Sequence, residues 1–392
     1  MKHASPKVST ADLHFFFEDR HSSLAAKVSA FSGSFEEDDL NVNAATIDAV
    51  KQLARSGLTD YCVPENYGGA TVGQPDALDC RSLTLIRENL GWSSALLDTA
   101  FAMQGLGSYP ISMVGTDEQK RTYLPGIISG ERLGAFALTE PTAGSDVAAM
   151  RCRADACDGG FVLNGEKTYI SNAGIAGQYV VFAKSDPDAG RRGITAFIVD
   201  AGQPGLSIEP FEVIAPHPIG RLIFKDCFVP SDKVLGELGS GFKIAMKTLD
   251  VFRTTVGGAA LGLARRALDE ALTQAQSRTQ FGKPIIEQQQ IAAYLADMKT
   301  EFDAARLLVY RAAYLKDTTS ERVSQEVAIG KLYSTEAAQR IIDRAVQIFG
   351  GSGVRVGSVV ERLYREVRAL RIYEGTSEIQ RVVIAAGLRS RD

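Results

Sequence analysis

The sequence lacks the features of several large protein classes. No apolar run approaches the roughly 20 residues that cross a bilayer, and residues 1–6 lead into charged sequence instead of a signal-peptide core. Lys and Arg number 43 against 47 Asp and Glu, which leaves a formal net charge of -4, and the basic residues are scattered along the chain. These absences argue against membrane insertion and against a nucleic-acid partner. They predict a cytoplasmic protein.

Cysteine and histidine are scarce as well, with five and four residues in the chain. An odd number of cysteines, mostly in apolar sequence, suits a reducing compartment better than a disulfide framework. Three histidines fall within residues 1–21 and only His217 lies deeper, so local spacing predicts no metal site. His217 stands between two prolines, and we expect an exposed loop residue there and not a catalyst.

What the sequence does contain is the composition of a soluble globular protein, with 45% hydrophobic and 23% charged residues. A chain of 392 residues is long enough for two or three domains, each with its own core. The composition therefore predicts a compact fold and argues against disorder or a fibrous structure.

The hydrophobic period changes twice along the chain. Before about residue 133, apolar residues at spacings of three and four predict helices, including 45–56 and 79–90. Short β-rich runs follow at 161–163, 179–182, 194–199 and 222–224. The helical period returns from residue 241.

This order predicts an α+β fold in three domains. They are an N-terminal helical domain (1–133), a middle antiparallel β domain (134–236) and a C-terminal helical bundle (237–392). Helices, then strands, then helices do not give the alternating order of a Rossmann domain. Asn164-Gly165, between two β-rich runs, predicts a tight hairpin turn.

Three segments combine residue types suited to a cofactor. Residues 136–146 mix small residues and hydroxyls, which can bring backbone amides close to a planar or anionic ligand. Tyr169-Ile170-Ser171-Asn172 offers an aromatic face and a hydroxyl. Residues 278–282 place a cation and an amide before a glycine, an arrangement that can hold phosphate. Each segment taken alone also fits an ordinary turn, strand end or helix end.

Residues 371–380 form the segment with the clearest chemistry. Glu374 stands just before a predicted helix that Thr376 or Ser377 would cap. In an apolar, closed site, desolvation would raise the pKa of Glu374 and fit it to act as a base. The alternative is a capping or solvated glutamate.

Taken together, these segments resemble the acyl-CoA dehydrogenase family of flavoproteins, from about residue 45 to the C-terminus. Residues 138–141 (Leu-Thr-Glu-Pro) and 143–146 (Ala-Gly-Ser-Asp) are similar to the family's first signature. Residues 347–353 (Gln-Ile-Phe-Gly-Gly-Ser-Gly) and 372–376 (Ile-Tyr-Glu-Gly-Thr) are similar to its second. The resemblance implies a helical domain, a β-barrel-like domain and a four-helix bundle, with FAD as the cofactor.

The resemblance also implies roles for single residues. Those that would line the flavin ring, with the Ser171 hydroxyl near its N5 edge, are Phe136, Leu138, Thr139, Tyr169 and Ser171. Those that would grip a neighbouring subunit's FAD are Arg278, Gln280, Phe281, Gln347 and Gly351. Thr376 and Glu378 would hold FAD within the subunit. Sharing the cofactor in this way implies at least a dimer, and the family is usually a homotetramer.

The chemistry implied by the resemblance is α,β-dehydrogenation of an acyl-CoA thioester. Glu374 would abstract the α-proton while the β-hydride passes to flavin N5, and electrons would then go to electron-transferring flavoprotein. The substrate contacts would come from Ser145, Asp250, Arg253 and Gly375. Asp250 and Arg253 are three residues apart on a predicted helix and so share a face.

Three departures from the family pattern limit the transfer of roles: Phe252 is bulky where the family often has a small or charged residue, Tyr169 and Ser171 replace the commoner Trp and Thr, and the 211–223 segment differs and leaves alternatives open. Residues 211–223 appear shorter than the family's Gly-x-Arg-x-Ser stretch and contain His217 instead. The change is compatible with an acyl group tethered to a carrier protein in place of CoA. A flavin oxidase or monooxygenase on the same fold is a second alternative, and a non-catalytic assembly protein a third. Acyl chain length, branching and ring character stay open.

Overall fold

The computed structural model describes residues 8–35 and 41–389. Its longer helices are α1 (Asp19–Ser34), α2 (Val42–Arg55), α3 (Cys80–Ser93), α4 (Ala95–Val114), α5 (Asp117–Ile128), α6 (Gly241–Ser277), α7 (Gln289–Thr318), α8 (Ser324–Phe349), α9 (Val359–Val367) and α10 (Ser377–Arg389). Its strands are β1 (Gly134–Ala137), β2 (Arg153–Cys157), β3 (Gly160–Ser171), β4 (Gln178–Lys184), β5 (Ile194–Asp200), β6 (Leu206–Pro210), β7 (Ile219–Pro230), β8 (Val234–Leu235), β9 (Thr279–Gln280) and β10 (Lys283–Pro284).

The order of helices, strands and helices confirms the predicted fold class. By contact density the chain divides into two compact units. The first unit comprises the described residues of 1–36, 80–98 and 253–392, and the second those of 37–79 and 99–252. The boundaries of the three sequence domains stay a prediction.

In the first unit, helices α3 and α6 pack against each other with their backbones in close contact. A Cβ at Gly258 would lie 2.5 Å from the carbonyl oxygen of Thr84, and one at Gly262 would lie 2.3 Å from that of Glu88. Only glycine permits this approach of two backbones. The buried core around these helices is apolar, with members from α1, α3, α6, α7, α8 and α9.

In the second unit, eight strands form one sheet in the order β6-β7-β3-β2-β4-β5-β8, with β1 beside β4. Most neighbours are antiparallel, as predicted, whereas β1 and β2 pair with β4 in parallel. Helix α4 anchors β1, because Gln104 Oε1 accepts a hydrogen bond from the Gly134 backbone N–H at 3.0 Å. The apolar side chains of the sheet form a second core.

The hairpin predicted at Asn164-Gly165 is wrong, because β3 runs through both residues. The register with β7 shifts between Leu163 and Gly165, so the glycine marks a bulge in a continuous strand. The turn that joins β2 to β3 is Asp158-Gly159, where Gly159 has φ +76°. Both dipeptides carry the same turn chemistry, and only the pairing of β3 with β7 distinguishes them.

All five cysteines lie in the described part of the chain, and none forms a disulfide. Cys62, Cys80, Cys152 and Cys227 are buried, and Cys157 at the end of β2 is exposed. Within residues 8–35 and 41–389, no helix is long and apolar enough to cross a membrane.

Candidate active site

Glu374 lies in a turn of unusual backbone conformation just before α10. Its φ is +55°, and that of the following Gly375 is +94°. Such left-handed values are costly for a residue with a side chain, and they persist only where neighbouring groups hold the backbone in place.

Hydrogen bonds from buried side chains hold the two carbonyl groups of this turn. Arg253 Nε donates to the Glu374 carbonyl oxygen at 3.0 Å. Lys331 Nζ and Gln380 Nε2 each donate to the Gly375 carbonyl oxygen at 2.8 Å. Thr376 Oγ1 accepts from the Ile379 backbone N–H at 3.3 Å and so caps α10, as predicted. The turn is therefore fixed from both sides.

The carboxylate of Glu374 occupies an enclosed and electrostatically mixed environment. Its Oε2 atom is buried and has no hydrogen-bond partner among the residues that the structure describes. Burial raises the pKa of Glu374, and nearby Asp98 raises it further, while Arg87, Arg253 and Lys331 oppose the rise. Burial also lowers the pKa of Lys331 to about 8, although Glu374 opposes that change. A carboxyl group with a raised pKa is suited to accept a proton near neutral pH.

A buried ion pair stands beside this carboxylate. Arg87 on α3 donates to both carboxylate oxygens of Asp98 on α4, from Nε at 2.8 Å and from Nη2 at 2.7 Å. Its Nη1 donates to Thr255 Oγ1 at 3.0 Å. Burial alone would lower the pKa of Arg87, but Asp98 raises it, so the guanidinium stays charged.

Four further residues of this site, Arg87, Asp98, Lys331 and Gln380, were not predicted from the sequence. A signal was present for Asp98 and Lys331, because each is a single charge within an otherwise apolar helical stretch, whereas Arg87 stands next to Glu88. Such a charge is buried only with a partner. Arg87 and Lys331 are far apart in the sequence, so their shared proximity to Glu374 was not evident from it.

The predicted substrate residues fall in different surroundings. Arg253 is buried and Gly375 belongs to the Glu374 turn, so the structure brings these two together. Asp250 lies one turn before Arg253 on α6, as predicted. Ser145 is exposed in the loop after β1.

That loop, residues 138–146, is held by a buried ion pair. Lys167 Nζ donates to Glu140 Oε1 at 2.7 Å and to the Leu138 carbonyl oxygen at 3.2 Å. The Thr168 backbone N–H donates to the Thr139 carbonyl oxygen at 2.9 Å. Glu140, which the motif supplies, thus fixes the loop that carries Leu138 and Thr139. Phe136 precedes it on β1, with its ring 5.0 Å from that of Phe182.

Tyr169 and Ser171 lie at the end of β3. The register with β7 shifts between Lys167 and Ile170, and Tyr169 has φ +56°. This bulge turns the Tyr169 side chain outward, where 65% of its surface is exposed. Ser171 Oγ lies 3.0 Å from His217 Nε2. His217 lies in a loop, as predicted, but it is half-buried and not exposed.

Arg278, Gln280 and Phe281 lie where α6 ends in the β9–β10 hairpin. All three are exposed, and Phe281 at the tip is 94% exposed with φ +53°. About 25 residues of helix separate Arg253 from Arg278, a rise of about 37 Å, so the chain does not bring the hairpin to the Glu374 turn.

The remaining predicted cofactor residues lie on two other segments. Gln347 and Gly351 are exposed at the end of α8, and Glu378 is exposed in the first turn of α10. A Cβ at the neighbouring Gly353 would lie 2.4 Å from the Val346 carbonyl oxygen, so this turn depends on a glycine. A hydrogen bond to its own backbone lowers the pKa of Glu378, and the Thr376 hydroxyl lowers it further.

This set of residues fits FAD. Tyr169 and Phe281 expose aromatic rings, which can lie against the planar rings of the cofactor. Arg278 exposes a guanidinium, which suits a diphosphate. Left-handed backbone at Tyr169, Asn172 and Phe281 keeps these groups in positions that ordinary strand or turn geometry would not give.

Comparison with protein families covers most of the chain. The matching family models are acyl-CoA dehydrogenase, N-terminal domain, for residues 19–131; acyl-CoA dehydrogenase, middle domain, for 135–227; and acyl-CoA dehydrogenase, C-terminal domain, for 239–389. They follow the same order as the helical, β and helical parts of the fold.

Individual relatives match over nearly their whole length. A 3-(aryl)acrylate reductase of Clostridium sporogenes is 40% identical over 95% of this chain and 99% of its own. Butyryl-CoA dehydrogenase from Megasphaera elsdenii is a structural neighbour with a TM-score of 0.86 and 34% identity, covering 95% and 99% of the two chains. The prolyl acyl carrier protein oxidase AnaB has a TM-score of 0.87 and 30% identity, with the same two coverages. The chain therefore belongs to the acyl-CoA dehydrogenase family and is an FAD-dependent oxidoreductase.

Proposed function

We propose that this enzyme removes the α- and β-hydrogens of an acyl-CoA thioester and that Glu374 is the base. The observation that carries the proposal is the enclosed Glu374 Oε2 in a turn fixed by Arg253 and Lys331, with a pKa raised by burial. FAD, when bound, accepts the hydride from the β-carbon. The α-proton goes to the Glu374 carboxylate.

Two properties of the turn support this role. An α-proton beside a thioester is only weakly acidic, so a base with a raised pKa matches it better than an ordinary carboxylate. The hydrogen bonds to the Glu374 and Gly375 carbonyl groups restrict the backbone and so keep the carboxylate aligned. Because Arg253 Nε is engaged by Glu374, we propose that Arg253 positions the base.

The other predicted residues keep their proposed roles. Ser145, Asp250, Arg253 and Gly375 contact the thioester, and Thr376 and Glu378 hold FAD within the subunit. The residues proposed to line the flavin ring are Phe136, Leu138, Thr139, Tyr169 and Ser171. The exposure of the ring of Tyr169 supports its place in that set.

The position of the β9–β10 hairpin supports a shared cofactor. Exposed Arg278, Gln280 and Phe281 are remote from Glu374 along α6, which favours action on the FAD of a second subunit. We propose the same for Gln347 and Gly351. A shared cofactor requires at least a dimer. We propose a homotetramer, which is the usual assembly implied by the family resemblance. Electron-transferring flavoprotein is the proposed electron acceptor, and a cytoplasmic location stays a prediction.

The test is anaerobic bleaching of the flavin absorbance by a panel of acyl-CoA thioesters. We expect one class of CoA ester to bleach the wild-type flavin rapidly, and Glu374→Gln to retain FAD and lose nearly all of this reaction. Glu321→Gln, an exposed glutamate on another segment, is the control and should behave as wild type. Wild-type bleaching in Glu374→Gln would remove Glu374 from its role.

An acyl group tethered to a carrier protein is the second candidate substrate. The unusual 211–223 segment and the likeness to a prolyl acyl carrier protein oxidase favour it. Carrier-protein thioesters therefore belong in the same panel. Bleaching by a tethered acyl group and by no CoA ester would select this alternative.

A further inference from the structure

The loop before β7 brings His217 to the hydroxyl of Ser171. The Asn172 backbone N–H, just after β3, donates to the Pro218 carbonyl oxygen at 2.8 Å, and the Phe211 N–H closes the loop by donating to the Ile219 carbonyl oxygen at 3.2 Å. The rings of Tyr169 and Phe211 meet edge to face, with centroids 5.3 Å apart. The imidazole is thus held by its own loop and by β3.

Hydrogen-bond chemistry determines which group donates. His217 Nδ1 lies 2.8 Å from the Ala215 carbonyl oxygen, which can only accept, so Nδ1 carries a proton. Burial lowers the pKa of His217 and favours the neutral ring, whose other nitrogen then has a lone pair and no proton. The Ser171 hydroxyl, 3.0 Å from Nε2, therefore donates a hydrogen bond to His217.

We propose that His217 is a positioning residue for Ser171, because it accepts the hydrogen bond of the Ser171 hydroxyl and leaves the Ser171 oxygen as an acceptor toward the cofactor. The inference rests on one part of the proposed function, the placement of Ser171 at flavin N5, and not on the identity of the substrate. It concerns a residue that the family resemblance does not supply.

The consequence is a preference between the two redox states of the cofactor. N5 of oxidised flavin has a lone pair and accepts, whereas N5 of two-electron-reduced flavin carries a hydrogen and donates. An oxygen that can only accept is complementary to the reduced state and mismatched to the oxidised one. His217 therefore favours reduction of the flavin and raises its midpoint potential.

The test is the midpoint potential of the flavin in the purified holoenzyme, measured against reference dyes. We expect His217→Ala to free the Ser171 proton and to shift the balance toward oxidised flavin by about tenfold, which lowers a two-electron potential by about 30 mV. His217→Phe fills the same space without an acceptor and should give the same change, which keeps the test usable if the alanine variant loses FAD. Ile214→Ala, an exposed residue of the same loop, should leave the potential unchanged.

A double-mutant cycle with Ser171→Ala tests whether His217 acts through Ser171. Loss of His217 should change nothing further once the hydroxyl is absent. A wild-type potential in both His217 variants, or an equal effect with and without Ser171, would overturn the inference. Since the measurement needs no substrate, it is independent of the bleaching experiment. Failure of every thioester to reduce the flavin would refute the proposed function and leave this result standing.

Discussion

At the scale of single residues, Glu374 combines a left-handed backbone with a raised pKa. Among the described residues with side chains, five have a positive φ: Tyr169, Asn172, Asp226, Phe281 and Glu374. All except Asp226 lie in segments that we assign to the cofactor or to the base. Each costs about 1–3 kcal/mol of strain, which is typical of residues kept for function.

The charge of Lys331 sets the pH at which Glu374 can act. Glu374 must be ionised to take a proton, so flavin reduction should decline as the pH falls below its raised pKa. Lys331→Met removes a cation that opposes this rise, so the acid limb of the rate profile should move to higher pH. Single-turnover reduction measured across pH checks this. Lys299→Met, on the exposed side of α7, should not move the limb, and a matching shift there would contradict the assignment.

Gly375 is the residue of the turn least tolerant of a side chain. Its φ of +94° disfavours any other residue, and a Cβ would lie 2.7 Å from Gln380 Nε2. We expect Gly375→Ala to lower the free energy of unfolding by about 1–2 kcal/mol and to slow flavin reduction. Urea unfolding measures the first effect. At Gly144 a Cβ would meet no atom within 4 Å, so Gly144→Ala should leave stability nearly unchanged, and equal losses in both variants would be unexpected.

At the scale of elements, the fully buried Lys167 on β3 connects the sheet to the loop after β1. Lys167→Met would strand the Glu140 carboxylate in the interior, and we expect a loss of about 3–5 kcal/mol in the free energy of unfolding. Arg153→Met breaks the exposed pair with Asp155 and should cost less than about 1 kcal/mol. Denaturant unfolding of both variants makes the comparison. Similar losses would mean that the buried pair does not anchor the loop.

The same elements show what the sequence could predict. The predicted helices at 45–56 and 79–90 agree with α2 and α3, and the β-rich runs fall within β3, β4, β5 and β7. The period of apolar residues determines these elements because burial on one face is a local property. The bulges in β3 depend on its pairing with β7, which is distant in the chain, so no local pattern revealed them. The Arg87–Asp98 pair joins two consecutive helices, and the pattern of each helix alone does not show that the two charges meet.

At the scale of the whole molecule, the β9–β10 hairpin connects cofactor binding with assembly. We expect Arg278→Ala to weaken FAD retention by about tenfold or more, as for the loss of a charge-assisted hydrogen bond, and to reduce the oligomer. Flavin content after gel filtration and light scattering measure both. Arg311→Ala, an exposed arginine of α7, should keep full FAD and full assembly. Unchanged flavin content in the Arg278 variant would count against a shared cofactor.

The direction of catalysis also belongs to the whole enzyme. One close relative is named as a reductase and one structural neighbour as a dehydrogenase, so membership of the family does not fix which way electrons flow. A flavin whose reduced state is favoured accepts electrons from a saturated thioester more readily. The proposed role of His217 therefore predicts that dehydrogenation is the favoured direction.

The single exposed cysteine, Cys157, allows distances between subunits to be measured in the native chain. Cys157 ends β2 at the surface, while the other four thiols are buried, so a maleimide spin label should attach at one position per subunit without any mutation. With one label per subunit, the number of different label-to-label distances depends only on the number and symmetry of the subunits. One distance identifies a dimer, and a set of several identifies a tetramer, in the same preparation whose flavin is being measured.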